Sequence, residues 1–154
     1  MAVKPKPEGY HTATPYLTIR DAGRAIDFYR QAFGATELMR MPGPGGKIMH
    51  AEIRIGDSIV MISDENLEMD APSPEKLGGT AGSIFLYVDD VDAVVARAAK
   101  AGAKVKMPAT DMFWGDRFGS IVDPFGHAWG IATHKEDLAP DEILRRRDAQ
   151  MGKT

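Results

Sequence analysis

Cysteine is missing from this chain of 154 residues. Disulfides, thiolate metal sites and a cysteine nucleophile are thereby excluded. No apolar run comes near the ~20 residues that a membrane-spanning helix needs. The first ten residues hold Lys4, Pro5, Lys6 and Pro7 and no apolar core, unlike a secretory signal. Charge of one sign is not in excess either. The 19 Lys and Arg face 22 Asp and Glu, a formal net charge of −3, so no basic nucleic-acid surface is announced. The expectation is a cytoplasmic protein with neither nucleic acid nor membrane as a partner.

What is present is regular. Thr12 to Arg20 alternates, with Pro15, Leu17 and Ile19 on one face and Thr14, Tyr16 and Thr18 on the other, the mark of a half-buried strand. Asp21 suits a helix N-cap, Ala22, Ala25, Ile26, Tyr29 and Phe33 recur at helical spacing, and Gly34 closes the helix. Thr36 to Met41 reads as a strand, and Ile48 to Ile62 as a hairpin turning at Gly56-Asp57. After a stretch rich in acids, Pro and Gly the pattern restarts. Ile84, Leu86 and Val88 alternate with Ser83, Phe85 and Tyr87; Asp90 is a second N-cap; Val91, Val94, Val95, Ala98 and Ala101 form a second stripe ending at Gly102. A strand over Ala103 to Pro108 precedes a hairpin around Asp123-Pro124-Phe125-Gly126-His127.

The halves match. One spacing separates Asp21 from Asp90 and Ser58–Ile62 from His127–Ile131, and the glycines Gly34 and Gly102 slip by a single residue. Order agrees throughout: strand, helix, three strands, twice. The fold class is α+β, two tandem βαβββ modules. Residues 1–10 form a flexible tail and 11–134 one domain, with module one at 11–63, a linker at 64–80 and module two at 81–134. Residues 135–154 are an extension in which Pro140, Asp141 and Glu142 start a short helix.

A doubled module with Asp123-Pro124-Phe125-Gly126-His127 at its last hairpin resembles the vicinal oxygen chelate superfamily, the glyoxalase, bleomycin-resistance and dioxygenase fold. Ile26-Asp27-Phe28-Tyr29-Arg30-Gln31-Ala32-Phe33-Gly34 is similar to its first-helix signature. Trp114-Gly115-Asp116-Arg117-Phe118-Gly119 and Asp123-Pro124-Phe125-Gly126-His127-Ala128-Trp129 are similar to the PhnB-like branch. The resemblance implies that each module curls its mixed sheet into a half-open cup, helix outside, and that two cups face each other within a chain or across a homodimer. Members of this superfamily include lyases, isomerases, dioxygenases, thiol transferases and plain drug binders, so the likeness names no single activity.

Within that shape, the period of two turns His50, Glu52 and Arg54 into the first cup beside Ile59, Met61 and Ser63. In the second module it turns in Ser83, Phe85 and Tyr87, with Arg117, Gly119 and Ile121. Metal-dependent members carry His, Glu or Gln at positions that map onto Thr14, Met61, Ser83 and Gly130. A hydroxyl, a thioether and a glycine are not ligands for Zn, Ni, Mn or Fe, so neither metal nor other cofactor is expected.

Two functions stay open. In one, a metal-free aromatic cup binds a small organic molecule through Tyr16, Phe85, Tyr87, Trp114 and Met61, with Thr14 and Ser83 at its wall and Arg117 for an anionic group. In the other, a lyase, isomerase or transferase uses His50 as general base oriented by Glu52, with or without a divalent metal completed by His127 or His11. The same pair could instead be a hydrogen-bonded element of the cup wall or dimer interface. His127 is expected to make a structural hydrogen bond, and His11 and His134 to be exposed.

Overall fold

Asp21 and Asp90 start the two helices against which the sheets pack. Asp21 accepts from the Arg24 amide (3.3 Å) at the head of α1 (Ala22–Phe33), and Asp90 from the Ala93 amide (3.0 Å) at the head of α3 (Val91–Lys100). Gly34 ends α1 in the left-handed conformation at φ 66°, which glycine adopts without strain. The computed structural model describes residues 2–152. No helix among them is long and apolar enough to cross a membrane.

The chain divides into two units: the first runs to Ala81 and includes Pro124–His127, and the second takes Gly82–Asp123 and the chain from Ala128 onward. In the first, β1 (Tyr16–Ile19), β2 (Thr36–Pro42), β3 (Ile48–Ile55) and β4 (Ser58–Asp64) form a sheet of order β1-β4-β3-β2, with β1 parallel to β4 and the other pairs antiparallel. Leu17, Ile19, Ala51, Ile53, Val60 and Ile62 meet Ala22, Ala25, Ile26 and Tyr29 of α1, all buried. Each fully buried isoleucine here contributes roughly 1.5–3 kcal/mol. Asp64 fixes the helix to the sheet, accepting from the amides of Ala22 (2.9 Å) and Ile48 (2.6 Å).

Residues 64–80, expected as the linker between the modules, carry local order. Asn66 accepts from the Glu68 and Met69 amides, and Ser73 caps the short helix α2 (Pro74–Leu77) through the Lys76 amide. The buried Ser73 hydroxyl in turn donates to Glu65 (2.7 Å). Side-chain caps, not periodicity, build this segment. The His127 ring lies 3.0 Å from the carbonyl of Thr18, the structural bond expected of it.

The second unit repeats the plan. Its strands β5 (Ser83–Tyr87), β6 (Lys104–Asp111), β7 (Asp116–Val122) and β8 (Ala128–His134) have the order β5-β8-β7-β6, with β5 parallel to β8. Ile121, Trp129 and Ile131 lie buried with Val91, Val94, Val95 and Ala98 of α3, and the Trp129 indole donates to Asp123 (2.9 Å). Thr133 caps this helix as Asp64 caps α1, accepting from the Val91 amide (2.9 Å). The helix α4 (Pro140–Met151) follows where Pro140 and two acids begin it.

Candidate functional site

Register decides which side chains share the sheet face turned away from each helix, since partners across a ladder point the same way. In the first unit Met61 pairs with Tyr16 on one side and Glu52 on the other, while Met39 and Met41 of β2 pair with Glu52 and His50. His50, Glu52 and Arg54 therefore share one face with Tyr16 and Met61. Sequence reasoning placed these, but it missed Met39 and Met41, whose face is set by a bulge between Glu37 and Met39.

A row of hydrogen bonds runs across this face. Glu52 is only 8 % exposed. Its Oε2 accepts from the Tyr10 hydroxyl, and its Oε1 lies 3.1 Å from His50 Nε2. His50 Nδ1 lies 3.0 Å from the Tyr16 hydroxyl, which is on a side chain 51 % exposed. The Tyr10 hydroxyl bond holds the Glu52 carboxyl below its usual range; burial opposes it and His50 adds to it. The same bond, aided by burial, pushes the Tyr10 phenol up. An ionised carboxylate has only lone pairs to offer, so Nε2 carries a proton, and in the Nε2–H tautomer Nδ1 accepts from Tyr16. Both imidazole nitrogens are then engaged. The exposed end of the row is the Tyr16 hydroxyl, not His50.

Tyr10 is the residue that reading the sequence failed to find. It closes the segment assigned to a flexible tail, and no periodicity there points to Glu52. Thr14 precedes β1, with its hydroxyl donating to the carbonyl of His11 (3.1 Å).

The second unit's corresponding face is aromatic. Gly130 pairs with Phe85 and Ser120, and Phe118 with Ala132. Phe85 and Phe118 stack at 5.5 Å with planes 13° apart, and a Cβ on Gly130 would lie 2.9 Å from Phe85 Cδ2 and 3.0 Å from Phe118 Cε2. The rings occupy the space that a side chain at position 130 would need. Ser83, exposed, pairs with Ala128 at the edge of this face. Asp116, 4 % exposed, is the buried carboxylate here. It accepts from Tyr87 (3.2 Å) and the Trp114 indole (3.1 Å), and His134 Nδ1 lies 2.8 Å away. His134 Nε2 meets Asp137 at 2.9 Å, so this half-exposed imidazole sits between two carboxylates that raise its pKa, Asp137 first.

Arg117 corrects the expected inward set. Its guanidinium grips Asp92 in the first turn of α3 (Nε 2.6 Å, Nη2 2.9 Å) and Asp111 (3.1 Å), on the helix side of the sheet. Gly119 shares that side, since its Cβ would lie 3.2 Å from Val95 Cγ2. The inward residues of β7 are Phe118 and Ser120. The acid at the helix N-terminus and the reach of arginine decide the parity.

A model of the Glyoxalase/Bleomycin resistance protein/Dioxygenase superfamily matches residues 10–131, and the chain belongs to that superfamily. Among its relatives is an uncharacterized Mycobacterium bovis protein, Mb0911c, 44% identical over 140 residues, which are 89% of this chain and 92% of the relative. The putative glyoxylase CFP32 of M. bovis is 33% identical over 131 residues, 82% of this chain and 48% of CFP32. Among solved structures, PA1353 from Pseudomonas aeruginosa superposes with a TM-score of 0.64 at 31% identity, over 82% of this chain and 99% of that one. TioX from Micromonospora sp. ML1 does so with 0.63 at 29%, over 84% and 100%.

The metal that some members carry does not fit the residues found here. Thr14 spends its proton on a carbonyl, Met61 offers a thioether, Ser83 a hydroxyl, and at Gly130 stacked phenyl rings fill the place of a ligand. Among the described residues no group of three or more His, Asp or Glu is placed to hold a metal ion.

Proposed function

We propose that this chain is a PhnB-like member of the superfamily that binds a small organic molecule on the inner face of its first unit, without a metal. One observation carries the reading. Tyr16, Met39 and Met41 stand 51%, 39% and 45% exposed on the same face as a hydrogen-bonded row of Tyr10, Glu52, His50 and Tyr16. Soft and aromatic surface beside oriented polar groups is the composition of an organic-ligand site, in which burial supplies affinity and the polar row supplies orientation. In the second unit the comparable face carries Phe85 stacked on Phe118 over Gly130, with Phe85 and Tyr87 themselves 47% and 66% exposed. The test is a titration with a panel of flat aromatic molecules followed by NMR of the His50 ring and the methionine methyls. Saturable shifts confined to these groups are expected; a flat response across the panel overturns the reading.

A second reading draws on the order Glu52–His50–Tyr16, a carboxylate orienting an imidazole that accepts from a phenol. That arrangement suits a lyase, isomerase or transferase in which the Tyr16 hydroxyl exchanges a proton with substrate and His50 receives it. Turnover lost equally in Tyr16→Phe and His50→Ala would favour it. Stoichiometric metal lost in His50→Ala would instead favour the metal-bearing form of that enzyme. We further propose a homodimer, since the edge strands β1, β2, β5 and β6 each have a ladder neighbour on one side only and offer open edges. A monomeric mass at micromolar concentration would refute it.

A further inference from the structure

We propose that Tyr10 is a tethered stand-in for the ligand, and that the first-unit face takes a neutral phenol whose hydroxyl replaces that of Tyr10 on Glu52. The inference rests on the binding reading above and names its ligand class. Glu52 has two acceptor oxygens beneath the surface. His50, two residues along the same strand, lies 3.1 Å from Oε1, whereas Oε2 accepts from Tyr10, which comes from outside the sheet.

The segment that brings Tyr10 is loosely fixed. Residues 2–9 are exposed, no helix or strand forms among the described residues before Tyr16, and the Tyr10 amide makes a long bond (3.3 Å) to the carbonyl of Pro7. Such a strap can leave at small cost, but Glu52 cannot then remain without a donor, because a buried unpaired carboxylate oxygen is expensive. Water or an incoming molecule must bring that donor, and a molecule that brings it on a flat body also covers Met39, Met41 and Tyr16. Arg54 lies on the same face, and its guanidinium reaches to within 3.9 Å of where a Cβ on Gly9 would stand, next to Tyr10. This positive charge offsets the attraction that the Glu52 carboxylate exerts on a cationic amine, and a neutral phenol is the donor that reproduces the Tyr10 hydroxyl.

The experiment titrates 2-naphthol and its methyl ether, 2-methoxynaphthalene, into the full chain, Tyr10→Ala, Tyr10→Phe and Glu52→Gln, read by calorimetry and by the His50 ring resonances. Naphthol should bind the native chain and bind both Tyr10 variants on the order of tenfold more tightly, because the competing hydroxyl is gone. The ether should bind at least about tenfold more weakly, and Glu52→Gln should bring the two to within roughly threefold. Naphthol binding to Tyr10→Ala but not to the native chain would mean that a hole had been refilled, and the inference falls. Equal affinity for naphthol and ether would leave the binding reading standing and remove the phenol. Absence of binding by either compound to any of the four proteins would remove both.

Discussion

In the first unit Glu52 accepts from a tyrosine of the N-terminal segment and a histidine of its own strand, and the row goes on to an exposed phenol. In the second, Asp116 accepts from Tyr87 and the Trp114 indole, and its histidine ends on another carboxylate, Asp137. Both units thus bury one acid against a phenol and an imidazole. The first row ends on the Tyr16 phenol; the second ends on the Asp137 carboxylate. The second row is a clasp. Gly115, beside Trp114, accepts from the amides of Lys135 and Glu136 (2.9 and 3.0 Å), so Asp116 and His134 secure the loop before β7 against the chain that follows β8. The same pairing of acid, phenol and imidazole thus reaches the N-terminal segment in one unit and ties two stretches flanking the sheet together in the other.

The sharpest way to break this contrast is to delete the two acids. Asp116→Ala leaves the half-buried Trp114 indole short of a partner and unties Tyr87 and His134, both already largely exposed, and should cost about 2 kcal/mol. Glu52→Ala releases Tyr10 and His50 to water nearby and should cost about 1 kcal/mol. Urea denaturation of both variants measures the difference, and equal losses would refute the division of labour. A smaller effect is expected at the twin positions Met61 and Gly130. Gly130→Ala forces Phe85 and Phe118 apart and should cost about 1–2 kcal/mol, whereas Met61→Leu should stay under about 1 kcal/mol. If Gly130→Ala is silent, the rings do not fill the second face.

Much of this was legible in the sequence, for local reasons. Asp21, Gly34 and Asp90 bound their helices because capping chemistry acts within a few residues. The parity of β3 was readable because His50, Glu52 and Arg54 alternate with Ala51, Ile53 and Ile55. In β7 both alternating sets mix polar and apolar residues, Arg117 and Gly119 on one side against Phe118 and Ser120 on the other, so no pattern chose the face. The distant acid Asp92 chose it instead. Tyr10 lies 42 residues from Glu52 in a segment without period, and only the folded chain brings them together.

Acid and alkali should separate the two rows next. His134 has a folded pKa raised above the ordinary 6.5. Its contribution is therefore complete below about pH 6.5 and is lost as pH climbs through the higher folded value. Glu52 is lowered below its ordinary 4.5, so its contribution is present above that value and is lost as pH falls through the lower folded one. Melting temperatures across pH should show His134→Gln flattening only the alkaline side and Glu52→Gln only the acid side. Both limbs surviving in both variants would mean that neither row titrates with folding.

The smallest effect is expected at Arg117. Two of its bonds go to one carboxylate in the forked geometry that arginine favours, yet Asp92 and Asp111 are well exposed, and exposed pairs trade Coulomb attraction against hydration and side-chain freedom. Its pKa and that of Asp92 are driven apart by their mutual hydrogen bond, which records a preference for pairing but no large gain in the fold. Arg117→Ala should lower the melting temperature less than any variant above, and the remaining difference should shrink in molar salt, where the Debye length falls to about 3 Å. Naphthol affinity should not change. A loss of affinity in Arg117→Ala would return this residue to the ligand.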